Sequence, residues 1–184
     1  MKRRIFPSAL LLLLVAVQLA TSQPVKVVYM PSIKVIYRVG GENNNIVWSS
    51  DGTKIAVELY ILDKNGKLLW VIKEPVGWIT ALAWSPDSTR IAAGSADNKV
   101  YVYTADGKLL WSYKTKDNVL AVDWSPDGTK LAVGSRNGEV YVLDQSGNPL
   151  WSYQTNFGFV WTVDWSPNGT KLAAGSCGKV YVFD

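Results

Sequence analysis

The sequence has no histidine and only one cysteine, Cys177, in 184 residues. Without histidine there can be no Ser-His-Asp or Cys-His nucleophile. One thiol and no imidazole also leave nothing from which to build a Cys- or His-rich metal site. A lone cysteine cannot close an internal disulfide, so an apolar core must hold the fold. The glycines occur as single turn positions rather than as a phosphate-cradling loop, and no cofactor is expected. Charge of one sign is also scarce. Three of the 19 basic side chains, Lys2, Arg3 and Arg4, lie in the first 22 residues, and the remainder holds 16 basic against 15 acidic groups. Lysines are scattered through turn sequences, without the basic stripe of a nucleic-acid reader.

Long apolar runs are absent too. Ala9–Val17 is almost wholly apolar, but Pro7 and Ser8 precede it and Gln18 follows. It falls short of the ~20 residues of a spanning helix. With the basic residues before it and small residues at Ala20 and Ser22, it reads as a secretory signal over residues 1–22. An uncleaved membrane anchor is the rival reading. No cysteine follows the apolar run, so a lipoprotein anchor has no attachment point. The expected product is a secreted or extracytoplasmic domain, residues 23–184, with no membrane contact beyond the signal. It is long enough to bury a core.

What the sequence has in abundance is repetition. Trp84-Ser-Pro-Asp-Ser-Thr-Arg-Ile-Ala-Ala-Gly-Ser recurs from Trp124 and Trp165 at spacings of 40 and 41, with an earlier copy from Trp48. A second motif, Gly-Lys-Leu-Leu-Trp, stands at Gly66–Trp70 and Gly107–Trp111, with a variant at Gly147–Trp151. Two motifs sharing one period mark a repeat architecture. Each unit reads as four short strands, A to D. In the third unit these are Leu120–Trp124, Leu131–Gly134, Val140–Leu143 and Leu150–Tyr153, separated by Pro-Asp-Gly, Asn-Gly and Ser-Gly turns. Strand C, Val-Tyr-Val-Tyr103 and its copies, is apolar on both faces. A sheet with one wet face would alternate. A propeller blade packed between two neighbours need not, and a period near 40 with four strands favours blades over a β-solenoid.

Ser-Pro-Asp-Gly-Thr-Lys-Leu-Ala-Val-Gly-Ser135, followed by Gly-Glu-Val-Tyr-Val-Leu-Asp144, resembles a WD-repeat blade. Asp-Gly-Lys-Leu-Leu-Trp-Ser-Tyr-Lys-Thr115 resembles strand D of quinoprotein-type (pyrroloquinoline-quinone-like) propellers. The resemblance covers residues 33–184. It implies an all-β propeller of about four four-stranded blades, a fold that hosts many functions. The buried histidine network common in WD repeats cannot form here. The full ring and adjacent cysteines of the quinoprotein enzymes are also lacking.

The expected blades are 40–73, 78–115, 118–155 and 159–184. Ile33–Val39 aligns with a strand D, so it is expected to complete the last blade. The first blade is five residues short where its B–C turn belongs, so it should lack a strand or be distorted. Four blades can close alone, pair with a second copy as an eight-blade ring, or remain open as the remnant of a longer propeller.

Most carboxylates recur in turns and read as turn chemistry. Asp123 and Asp164 are the exceptions, placed to bond within the blade or to line a channel. Asn168-Gly-Thr170 is formally a glycosylation acceptor but is also an A–B turn. The D–A connections carry the aromatics that break the repeat: Trp78, Phe157, Phe159 and Trp161. They can be a binding rim for a protein or extracellular ligand, or caps on the blades. The expected function is a non-catalytic binding or scaffold propeller. A quinoprotein-like redox subunit and a vestigial fragment are the alternatives.

Overall fold

Strands alternate with tight turns from Asn45 to the end of the chain, and each run of four strands folds back on itself. The computed structural model describes residues 45–58, 60–75, 77–156 and 158–184, all within one unit, Ile36–Asp184. Blade 1 comprises β1 (Ile46–Trp48), β2 (Lys54–Val57), β3 (Tyr60–Asp63) and β4 (Leu68–Val71). Blade 2 comprises β5 (Ile79–Trp84), β6 (Arg90–Ser95), β7 (Lys99–Thr104) and β8 (Leu109–Lys114). Blade 3 comprises β9 (Val119–Trp124), β10 (Lys130–Ser135), β11 (Glu139–Asp144) and β12 (Pro149–Gln154). Blade 4 has β13 (Val160–Trp165), β14 (Leu172–Ser176) and β15 (Lys179–Phe183). Every sheet is an antiparallel meander in sequence order. The signal segment and the expected strand at 33–39 lie outside the described residues.

Turn chemistry explains the hairpins. In the A–B turn of blade 3, Ser125 Oγ donates to Asp127 Oδ1 at 2.6 Å, and the Thr129 N–H donates to the same oxygen at 3.0 Å. These bonds hold the Asp127 carboxyl down at about 2. Gly128 then takes φ +69°, open to glycine without a Cβ clash. In blade 4, Asn168 Oδ1 accepts the same pair of bonds, from Ser166 at 2.8 Å and Thr170 N–H at 3.1 Å. The formal glycosylation acceptor is thus built into the turn.

Blade 1 is distorted, one of the two expected outcomes, but lacks no strand. It keeps all four strands, shortened to three or four residues against six in blades 2 and 3. Val57 pairs directly with Tyr60, which leaves a two-residue B–C turn, and Glu58 adopts φ +48° there. A non-glycine residue in that region is strained, and the sequence offered no turn residue to announce it.

The core lies between blades. Val122, Trp124, Leu131 and Val133 of blade 3 pack against Ala81, Ala92, Val100 and Val102 of blade 2. The opposite face of blade 3, including Ala132, Val140 and Val142, packs against Val163, Leu172 and Ala174 of blade 4. Ala56 and Ile61 of blade 1 meet Trp84, Ile91 and Tyr103 of blade 2. Strands β7 and β11 are therefore buried on both faces, as their apolar sequence requires, and each fully buried Val or Leu contributes about 1.5–3 kcal/mol. The fourth strands of blades 1, 2 and 3 are largely exposed.

Candidate functional site

The D–A connections share one end of the blades with the B–C turns, and backbone bonds fix the two together. Thr115 N–H and Oγ both donate to Asn98 O at 2.9 Å, and Arg136 N–H donates to Asn118 O at 2.8 Å. Thr155 repeats this with Gly138 O, through its N–H at 2.9 Å and its hydroxyl at 2.7 Å. The connection between blades 2 and 3 is thus tied to the B–C turn of the blade it leaves and of the blade it enters. In the connection between blades 1 and 2, Trp78 O accepts from the Ala96 N–H of the B–C turn in the blade it enters, at 2.9 Å. The rim is held by threonine and serine contacts to backbone, where a histidine network is unavailable. The approach is close: a Cβ on Gly138 would lie 2.5 Å from Gly158 O.

Of the expected rim aromatics, Trp78 is 85% exposed and Trp161 61% exposed, while Phe159 is only partly so. Trp78 and Trp161 are therefore not caps. Phe159 and Trp161 meet edge to face at 5.3 Å between centroids, and the Arg136 guanidinium lies 5.5 Å from the Phe159 ring. Trp161 occupies a β-bulge of β13, where the register skips between Val160 and Thr162. Bulges re-aim side chains, here outward. Trp78 holds the equivalent place to Phe159, two blades away. Phe157 lies outside the described residues, and Cys177 is exposed beside Gly158.

Sequence reasoning missed a polar cluster beneath this rim. Glu139 is buried and accepts from Tyr141 Oη at 2.8 Å, Ser152 Oγ at 2.9 Å and Lys116 Nζ at 2.9 Å. Burial works against its charge, but these donors outweigh it and hold the carboxyl below its ordinary range. The tyrosine recurring at positions 101, 141 and 181 was the available signal. In blade 2, Tyr101 donates instead to Asp97 Oδ2 at 2.8 Å, and Tyr103 to Glu74 Oε2 at 3.0 Å. Burial and the carboxylate partners push both phenols well above their usual range.

Asp123 bonds across the blade boundary. Its Oδ2 accepts the Trp165 N–H of the next blade at 2.8 Å. Burial, with Asp164 adding repulsion, pushes its carboxyl up to about 6.

Residues 82–168 match the family described as the WD40 domain of anaphase-promoting complex subunit 4. Over 88 residues the chain is 38% identical to the ciliary WD repeat-containing protein ctxp80 of Euplotoides octocarinatus. That match covers 47% of this chain and 12% of the relative, so the chain spans a small part of the curated relative it matches. The four antiparallel sheets in sequence order are consistent with the blades of a WD40 β-propeller, the fold to which these residues are similar.

Proposed function

We propose that this chain is a non-catalytic extracytoplasmic binding or scaffold module, with residues 1–22 as its export signal and residues 23–184 as the working domain. Its rim of D–A connections captures a protein partner. The observation that carries this reading is the exposure of Trp78, at 85%, on a connection whose carbonyl is held by the Ala96 N–H of the neighbouring B–C turn. Large aromatics held in water on a rigid frame bury much area at little entropic cost when a partner arrives. Arg136 beside the Phe159–Trp161 pair favours a partner segment that combines an apolar anchor with an acidic group. WD repeats serving as interaction scaffolds support the same reading.

The strand-D motif shared with quinoprotein-type propellers has a packing role here. Trp70 Nε1 donates to Ala105 O at 3.1 Å and Trp111 Nε1 to Gln145 O at 3.0 Å, each reaching the next blade's C–D turn. That use accounts for the motif without redox chemistry.

The test compares proteins retained from an exported fraction by immobilised wild type and by a Trp78→Ala/Trp161→Ala double variant. Both substitutions remove exposed side chains, so circular dichroism should be unchanged. A specific protein is expected to be retained by wild type and reduced roughly tenfold or more by the variant. Equal retention by both would remove the rim from the reading.

A further inference from the structure

The blades are directional. The joints on either side of blade 3 each set a face of small side chains on one blade against a face of larger ones on the next. At the two ends of the series, one face of each kind is exposed in part; on blade 1, Ile55 and Leu62 of that face are buried, and its first strand is exposed. On blade 4, Val180 and Val182 hold the register of Val100 and Val102 in blade 2 and of Val140 and Val142 in blade 3. Those four are at 0% exposure, whereas Val180 is at 75% and Val182 at 61%. On blade 1, Ile46 and Trp48 hold the register of Val122 and Trp124. Trp124 is at 4%, whereas Ile46 is at 64% and Trp48 at 52%.

Two polar contacts at the internal joints, one present at two joints and the other at one, identify what the open faces match. The first residue of strand B places its cation over the strand-A tryptophan of the following blade. Arg90 lies 4.8 Å from the Trp124 ring and Lys130 lies 5.6 Å from that of Trp165. Lys171 stands at this donor register on blade 4, where it pairs with Asp184. Trp48 stands at the receiving register on blade 1. Likewise Asp123 accepts the Trp165 N–H. Asp164 is the Asp123 of blade 4, and Trp48 is the Trp165 of blade 1.

From this residue-by-residue match we propose that two copies of the chain associate head to tail. Blade 4 of each sits on blade 1 of the other, completing a ring of eight blades. Each open face presents what the other lacks, at the register the chain already uses internally, so a second copy fits it better than an unrelated protein. Unlike ends make a heterologous contact, which closes when the rotation per blade completes a turn, and eight blades lie within the range propellers use. The proposal does not rest on the binding rim.

Sedimentation velocity of the full chain is expected to give the mass of two copies. Val182→Asp and Trp48→Asp each place a carboxylate in an apolar joint and are expected to weaken association roughly a hundredfold or more, giving monomers. Both side chains are exposed in the single chain, and circular dichroism checks that the fold survives. Lys171→Glu, on an exposed side chain, is a milder variant expected to weaken association roughly tenfold. Mixed together, the Val182→Asp and Trp48→Asp chains are expected to pair through their one remaining set of intact faces. A monomeric wild type, a dimer that either aspartate variant leaves intact, or mixed variants that fail to pair would overturn the proposal. Growth into longer oligomers would overturn the closed ring.

Discussion

At the scale of single residues, Asp123 is where packing and charge conflict. Its carboxylate secures the joint between blades 3 and 4 through the Trp165 N–H, yet burial raises its affinity for a proton to about 6 from an ordinary 3.8. The folded chain therefore binds this proton more tightly than the unfolded one. Stability from this residue is greatest below about pH 4 and falls as the pH rises through about 6. Asp123→Asn keeps an acceptor for Trp165 and removes the charge. It is expected to raise stability at about pH 7 by on the order of 1 kcal/mol, with little change near pH 4, as read from urea midpoints at the two pH values. A variant less stable at both would mean that the charge itself holds the joint. The A–B turn carboxylates behave in the opposite sense: Asp51 and Asp127 are held at about 2 by local donors.

At the scale of the element, strand B shows how closely neighbouring blades approach. A Cβ added at Gly134 of β10 would lie 2.7 Å from Val160 Cγ1 and 3.1 Å from Val160 O on blade 4. Gly134→Ala should therefore cost about 1–3 kcal/mol in urea unfolding, through a forced widening of the joint. A neutral effect would show that the blades slide apart freely. Strands, their order and the two-sided burial of strand C were legible in the sequence, because Trp-Ser-Pro-Asp and Val-Tyr-Val recur with one period. The turn at Glu58 was not legible, since nothing in Val57-Glu58-Leu59-Tyr60 favours positive φ. The rim positions of Trp78 and Phe159 were readable from their breaks in the repeat. The exposure of Trp78 was not, because a sequence does not say which aromatic finds a neighbour. The contacts of Asp123 and Lys130 were hidden for a related reason: they join residues about 40 apart that no local pattern connects.

At the scale of the whole molecule, stability should be graded along the series of blades. Each blade gains most of its burial from its neighbours, as in any linear array of repeats. Blade 3 has a neighbour on each side, whereas blades 1 and 4 each keep one open apolar face. Amide hydrogens of β10 and β11 are expected to exchange slowest, and those of β1 and β15 fastest among the strands, when followed by mass spectrometry. Uniform protection from β1 to β15 would show that the outer blades are as firmly held as the inner ones.

The small-on-large joint also bears on how such a molecule can change length. No single joint counts the blades: each boundary is specified only by the two surfaces that meet there. A tandem duplication of one 40-residue stretch would introduce a new plug together with its own socket, and no existing contact would need a compensating substitution. No side chain at a joint therefore sets the number of blades. A lineage carrying this unit can gain or lose a wedge in a single genetic event and still bury strand-A tryptophans such as Trp84 and Trp124.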